Sequence, residues 1–383
     1  MSLETVISIS ILVVLTYFIW LLNRTKSPSK TKVTLAKKST TLKYRPQTNQ
    51  HFQANVLENA NELSEAKSEF ELPEDFLGFT LFVSSKLDAN QQETVQNISQ
   101  SFRKPHPLLL PLTQGVFEPN ELFDLIKSDA EMTAKILNAV NSSLFSLRQP
   151  ITNINHAIIF LGITQVKNIA LQLAVQNNLK FKDKAQNEAY KKLWAASYLA
   201  SSFCLLFATE VNEESPAELS THCLLSYLGD FAILSYRPSI AGLYLDDNTL
   251  FERTKIFQDV IGINTAVVGK NLAQQWRLPN SIETGIEHSI LPLTDGTVNK
   301  GFSSEQLRHI FLCYVSCRLG DLVAFSGLRD FSELTALSFE AMGGVEFYYS
   351  QDNIKKAGLD KINALITDVS FRKKINKVIE QTY

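Results

Sequence analysis

Residues Ser128 to Gly162 read SDAEMTAKILNAVNSSLFSLRQPITNINHAIIFLG. Ser128, with Glu131 three residues on, has the form of a capping box, in which side chains satisfy the orphan donors at a helix start. Met132, Ile136, Leu137, Val140 and Leu144 then recur at helical spacing and give one apolar face. Asn141-Ser142-Ser143 interrupts that face with small polar side chains that bond backbone, so a helix end or kink is expected there. Pro150 marks a loop. Ile154, Ala157, Ile158 and Leu161 open a second apolar face, which stops at Gly162.

This order of pieces resembles the HDOD domain, a bacterial relative of the metal-dependent HD phosphohydrolases. The family pattern runs "DP-aliphatic-T-A-K-I-L-x-x-x-N-S", a short gap, then "I-x-x-I-x-x-A-I-x-x-L-G". Here it stands as Asp129, Thr133, Ala134, Lys135, Ile136, Leu137, Asn141 and Ser142, followed by Ile151, Ile154, Ala157, Ile158, Leu161 and Gly162. Ala130 replaces the usual Pro and Met132 the usual Leu. The resemblance covers residues 98–300 and implies an all-α fold, an HD-like multi-helix domain, in a bacterial regulatory context.

Outward toward the N-terminus, Thr5 to Leu22 is an uncharged run of 18 residues, enough to span a bilayer. Tyr17 and Trp20 sit near its end, as interfacial aromatics do. A cleavable signal peptide carries positive charge before the apolar run. Here Glu4 precedes it, and Arg24, Lys26, Lys30, Lys32, Lys37 and Lys38 follow. Residues 1–22 therefore read as an uncleaved single-pass anchor. The basic flank places the N-terminus outside and the remainder in the cytoplasm, at a bacterial inner membrane. The same six residues are candidates for binding the membrane surface, at about 1 kcal/mol per charge.

The formal charge of −2 conceals an asymmetry. Eight basic residues and no acid lie between Asn23 and Arg45, leaving 29 basic against 39 acidic residues elsewhere. So acidic a body repels a phosphate backbone, which argues against nucleic acid as a partner. Residues 23–75, polybasic and then acidic, read as a flexible linker with a reach of roughly 40 Å. Gly78–Ser84 is a short β-like run, a lone strand or an extended piece laid on the body, and a helix is expected from Ala89 to Arg103. The four cysteines, Cys204, Cys223, Cys313 and Cys317, lie in apolar helical contexts without a C-x-x-C pair, so reduced buried thiols are expected.

Leu193 to Thr209 holds 17 uncharged residues. Its serines, threonine and alanines make a weak membrane span, and the reading here is a core helix. Ser215-Pro216-Ala217-Glu218 is a helix start. Leu219, Cys223, Tyr227, Phe231 and Leu234 follow on one stripe. Further helices run from Asn264 to Trp276 and from Pro279 through His288, ending the family order at Trp276, Leu278 and Pro279. Residues 301–383 read as a helical C-terminal extension packed on the domain, beginning at Ser303-x-x-Gln306. The basic stretch Arg372, Lys373, Lys374 and Lys377 reads as a solvated face, with a second membrane-touching patch as its rival.

An HD phosphohydrolase needs imidazoles and carboxylates around one or two metals, because metal-bound water is the nucleophile. The resemblance puts the His-Asp pair within "G-L-L-H-D-I-G". The matching residues are Cys223 to Gly229, with Ser226 at the His and Tyr227 at the Asp position. Ala196 and Thr265 stand where two further imidazoles belong, and only His288 matches a family histidine. No catalytic residue, metal or cofactor is therefore assigned. Ala196, Ser226, Tyr227, Thr265 and His288 define a degenerate site, either a ligand groove or a filled one, and bulky Tyr227 favours filling. His309, Cys313 and Cys317, at i, i+4 and i+8, share a helix face to within about 80°, a zinc-like spacing read here as core packing.

The function expected is non-catalytic bacterial signal transduction or scaffolding. An HDOD domain tethered to the membrane acts through protein partners or a bound small ligand. The alternative is a membrane-bound metal-dependent HD-type phosphohydrolase. A lipid-surface sensor using the basic flank is a third reading.

Overall fold

Every helix and strand assignment among the described residues is helical. The structure is a computed structural model that describes residues 72–383, apart from 103, 116, 142–148, 177–180, 182, 247, 296–300, 343 and 383. The anchor, its basic flank and most of the linker read from the sequence lie outside the described residues, as do Ser142 and Leu144.

The helices used below are α1 (Ala89–Ser101), α2 (Leu109–Thr113), α3 (Pro119–Lys127), α4 (Ala130–Val140), α5 (Ile154–Leu161) and α6 (Ile163–Gln176). They continue as α7 (Lys184–Glu210), α8 (Pro216–Leu225), α9 (Leu228–Tyr236), α10 (Gly242–Leu245), α11 (Leu250–Ile261), α12 (Thr265–Gln275) and α13 (Asn280–His288). Beyond these come α14 (Ser304–Ala324), α15 (Phe339–Met342), α16 (Tyr348–Lys356), α17 (Lys361–Thr367) and α18 (Val369–Thr382).

In the opening stretch, Met132, Ile136 and Val140 of α4 are buried, as their spacing predicts. The cap is displaced by one residue. Ser128 closes α3, its hydroxyl donating to Leu125 O at 2.6 Å. Extended Asp129 starts α4 by accepting from Met132 N at 2.8 Å. A residue spent on ending one helix is not free to start the next. Asn141 is the C-cap of α4. Its amide clamps the backbone of Ile151 from both sides, donating to O and accepting from N at 2.7 Å each. Gly162 ends α5 at φ +88°, a value open to glycine without steric cost.

Helix α7 organises the core. By length and composition it could cross a membrane, yet 72% of its apolar window is buried inside the protein, as expected of a core helix. Helices α8 and α14 pack along it. Gly320 of α14 permits the approach, since a Cβ there would lie 2.8 Å from Ala196 O and 2.9 Å from Ala200 N. The expected single stripe from Leu219 to Leu234 is instead two helices, α8 and α9, broken at Ser226-Tyr227. Gly229 lets α9 meet α12 where a Cβ would fall 1.8 Å from Thr265 O.

A second, smaller core seats the segment before α1. Phe76 is buried among Phe251, Tyr348 and Tyr349, with ring centroids 5.2–5.8 Å away. The run Gly78–Ser84 is not a strand. It lies on the body, held by side chains: Phe82 N donates to Gln258 Oε1 at 3.0 Å, and Asn264 Nδ2 donates to Phe82 O at 2.9 Å. At the far end, Arg372 of α18 turns inward while Lys373, Lys374 and Lys377 stay exposed. Arg372 donates to Ile366 O and Leu334 O at 2.6 Å each, and Lys374 pairs with Glu210.

Candidate functional site

Helix α8 ends where the resemblance places the His-Asp pair. Ser226 caps the helix and turns its hydroxyl back to His222 O at 2.7 Å. Tyr227 enters the core, and its phenol donates to Asp321 Oδ1 at 2.7 Å, with Cys317 O at 3.0 Å. Asp321 Oδ2 accepts from Arg253 at 2.8 Å and from Arg318 at 2.6 Å. Arg253 also donates to Asn248 O at 2.8 Å and lies 4.8 Å from the ring centroid of Phe325. Burial, together with the Asp321 carboxylate, pushes the Tyr227 phenol well above its ordinary range, so it stays a donor. Asp230, beside this group, accepts from Tyr244 at 2.9 Å, and burial pushes its carboxyl up to about 6.

Two of the remaining inferred positions are also packed. Ala196 is fully buried beneath Gly320, and Thr265 is 5% exposed with its carbonyl against Gly229. His288, at the end of α13, meets the ring of Phe302 edge-on at 4.9 Å. Of the five positions, Ala196, Ser226, Tyr227 and Thr265 are buried, and His288 alone lines the large cleft described next. A hydroxyl, a phenol and a methyl make a poor ligand set for a hydrolytic metal, and these residues do not fit one.

The open space lies one turn away. A cleft of about 750 Å³ is lined by His222 and Glu218 of α8, His288 and Ser281 of α13, His309 and Cys313 of α14, and the turn after α7. Asn212, left-handed at φ +57°, makes that turn and delivers Glu213. Glu213 is then held by Arg308 Nε at 3.0 Å and by His309 Nε2 at 3.3 Å. Glu218 faces His222 Nε2 at 3.6 Å. The His222 hydrogen bond, with a smaller contribution from Ser281, holds its carboxyl down at about 2 against partial burial. Gly285 supports the His222 ring, where a Cβ would touch Cγ at 3.0 Å. Among the described residues, no three imidazole and carboxylate ligand atoms gather within 4.8 Å of one another.

The cysteines also meet, across helices. The Sγ atoms of Cys204 (α7), Cys223 (α8) and Cys313 (α14) lie within 4.8 Å of one another, all buried. His309 does not join them and turns instead to Glu213. Although burial raises it, the Cys204 thiol is held down at about 6 by the S–H groups of Cys223 and Cys313, while burial pushes Cys223 well up.

Sequence reading passed over Glu213, Arg253, Arg308, Arg318 and Asp321. One signal was available: Arg318 and Asp321 are opposite charges at i, i+3 inside an apolar run, where unpaired charge is not tolerated.

The HDOD domain family matches residues 109–291, and the chain carries an HDOD domain over that span. An uncharacterized protein of Treponema pallidum (strain Nichols) is 24% identical over 217 residues, 55% of this chain and 41% of that protein. The match thus spans less than half of that relative's length. A crystallised candidate phosphohydrolase of Shewanella amazonensis SB2B is 15% identical, with 77% and 98% of the two chains covered and a TM-score of 0.48. An HDOD domain protein of unknown function from Geobacter sulfurreducens is 18% identical, with 75% and 91% covered and a TM-score of 0.42. Likenesses this distant say nothing of activity.

Proposed function

We propose that this chain is a non-catalytic regulatory protein: an HDOD domain tethered to a bacterial inner membrane, working through a protein partner or a small ligand in the His222–His309 cleft. One observation carries the reading. Tyr227, at the position inferred for the family aspartate, is committed to Asp321 at 2.7 Å inside a buried network with Arg253 and Arg318. Opening that network to seat a metal would strand two guanidinium groups in the core, at several kcal/mol. Tethering is supported by the apolar run 5–22 and the basic residues Arg24, Lys26, Lys30, Lys32, Lys37 and Lys38. An anchor raises the local concentration of the domain around other membrane proteins.

The test uses the purified full chain in detergent, supplied with manganese or iron(II) and a phosphodiester. Absence of turnover is expected. Metal-dependent turnover abolished by His288→Ala would overturn the reading in favour of a phosphohydrolase. For the tether, alkaline washing of membranes should leave the full chain in the pellet and release a chain lacking residues 1–22; release of the full chain would refute the anchor.

A further inference from the structure

We propose that Cys204, Cys223 and Cys313 form a thiolate site for zinc, reached through the cleft. No C-x-x-C spacing announces it, because the three residues come from three helices. Their sulfurs lie within 4.8 Å of one another, whereas sulfurs bound tetrahedrally to zinc at about 2.3 Å are about 3.8 Å apart. Each sulfur therefore has to move by less than about 1 Å, within the reach of a side-chain torsion. The helices themselves are already in place. Gly320 fixes how closely α14 approaches α7, and α8 packs against both.

Two observations connect this cluster to the outside. Cys313 lines the cleft. So does His222, the neighbour of Cys223 in sequence, whose Nε2 lies 3.6 Å from Glu218 Oε1. The thiols' contacts with backbone are long: Cys223 to Cys313 O and Cys313 to Leu219 O, at 3.8 Å each.

Loading replaces three S–H bonds with three S–Zn bonds and releases three protons to the cleft, so apparent affinity rises with pH. The bound unit carries a net charge of −1. A monovalent copper ion would leave −2, a larger burden in an apolar core, and this favours zinc.

The test is cobalt(II) titration of the metal-stripped, reduced full chain in detergent, followed by displacement with zinc. The expected result is a sulfur-to-cobalt charge-transfer band saturating at one ion per chain and bleached by zinc. Cys223→Ser and Cys313→Ser should lose the band. Cys317→Ala should keep it, since that sulfur lies outside the trio. If the serine variants fail to fold, native mass spectrometry of the unmutated chain decides: one retained zinc supports the site, and none refutes it. A band that survives Cys223→Ser, no band at all, or isolation of two of the three as a disulfide with no zinc uptake would each overturn the proposal.

Discussion

The phenol of Tyr227 donates to the carboxylate of Asp321 at 2.7 Å, joining the break between α8 and α9 to the last turn of α14 across 94 residues of sequence. The bond is buried, and it sets the geometry in which Asp321 meets both Arg253 and Arg318.

Tyr227→Phe keeps the ring and removes the donor. Asp321 then keeps its two arginines but loses its third partner, and the chain should be destabilised by about 1–3 kcal/mol, as for a buried bond to a charged group. Urea unfolding of the two proteins gives the difference. An unchanged midpoint would mean that the bond contributes nothing.

Gly229→Ala forces a methyl to within 1.8 Å of Thr265 O, where α9 crosses α12. Backbone cannot yield as a flexible side chain would, so a loss of about 3 kcal/mol or more is expected. Thermal unfolding checks it. A shift of only a degree or two would show that the helices can separate freely at this point.

Asp230 makes stability depend on pH. Its folded carboxyl, at about 6, is raised by burial above the ordinary value of 3.8; the charges around it are Arg253, Arg318 and Asp321, and Tyr244 donates to it. A raised carboxyl binds its proton more tightly in the folded state, so the stability it contributes is present below pH 3.8 and lost as pH rises through about 6. A rise from 3.8 to about 6 corresponds to about 3 kcal/mol. Asp230→Asn, neutral throughout, should therefore gain on the unmutated protein by roughly that amount between pH 4 and 7. A pH-independent difference between the two proteins would refute this.

Asn141→Ala removes both bonds to Ile151 and the donation to Leu137 O at 2.9 Å. A loss of about 2–3 kcal/mol is expected, because backbone groups of Ile151 are left without partners. Asn141→Asp should recover only part of it, since a carboxylate cannot donate to Ile151 O. Equal stability of the aspartate variant and the parent would show that this donated bond contributes little.

Much of the local structure is legible along the chain. Apolar residues three and four apart place α4, α5 and α12, and Asn264, Ser303 and Asn141 mark helix ends by their own hydrogen bonds. The departures are local competitions that spacing does not settle. Ser128 was claimed by the end of α3, and one apolar stripe was cut in two where Tyr227 turned inward. The substitutions at the inferred metal positions are equally a matter of sequence, since a serine and a tyrosine stand at 226 and 227 whatever the fold.

What sequence could not supply is which side chains meet when helices cross. Arg253 reaches Asp321 over 68 residues, and the Cys223 and Cys313 sulfurs meet over 90. Periodicity reports only the face a residue occupies on its own helix. The angle and depth at which one helix lies on another follow from contacts such as Gly320 on Ala196 and Gly229 on Thr265, which exist only after the chain has packed. The residue types were therefore written along the chain, while the buried ion network, the cleft and the group of three sulfurs were decided by tertiary structure.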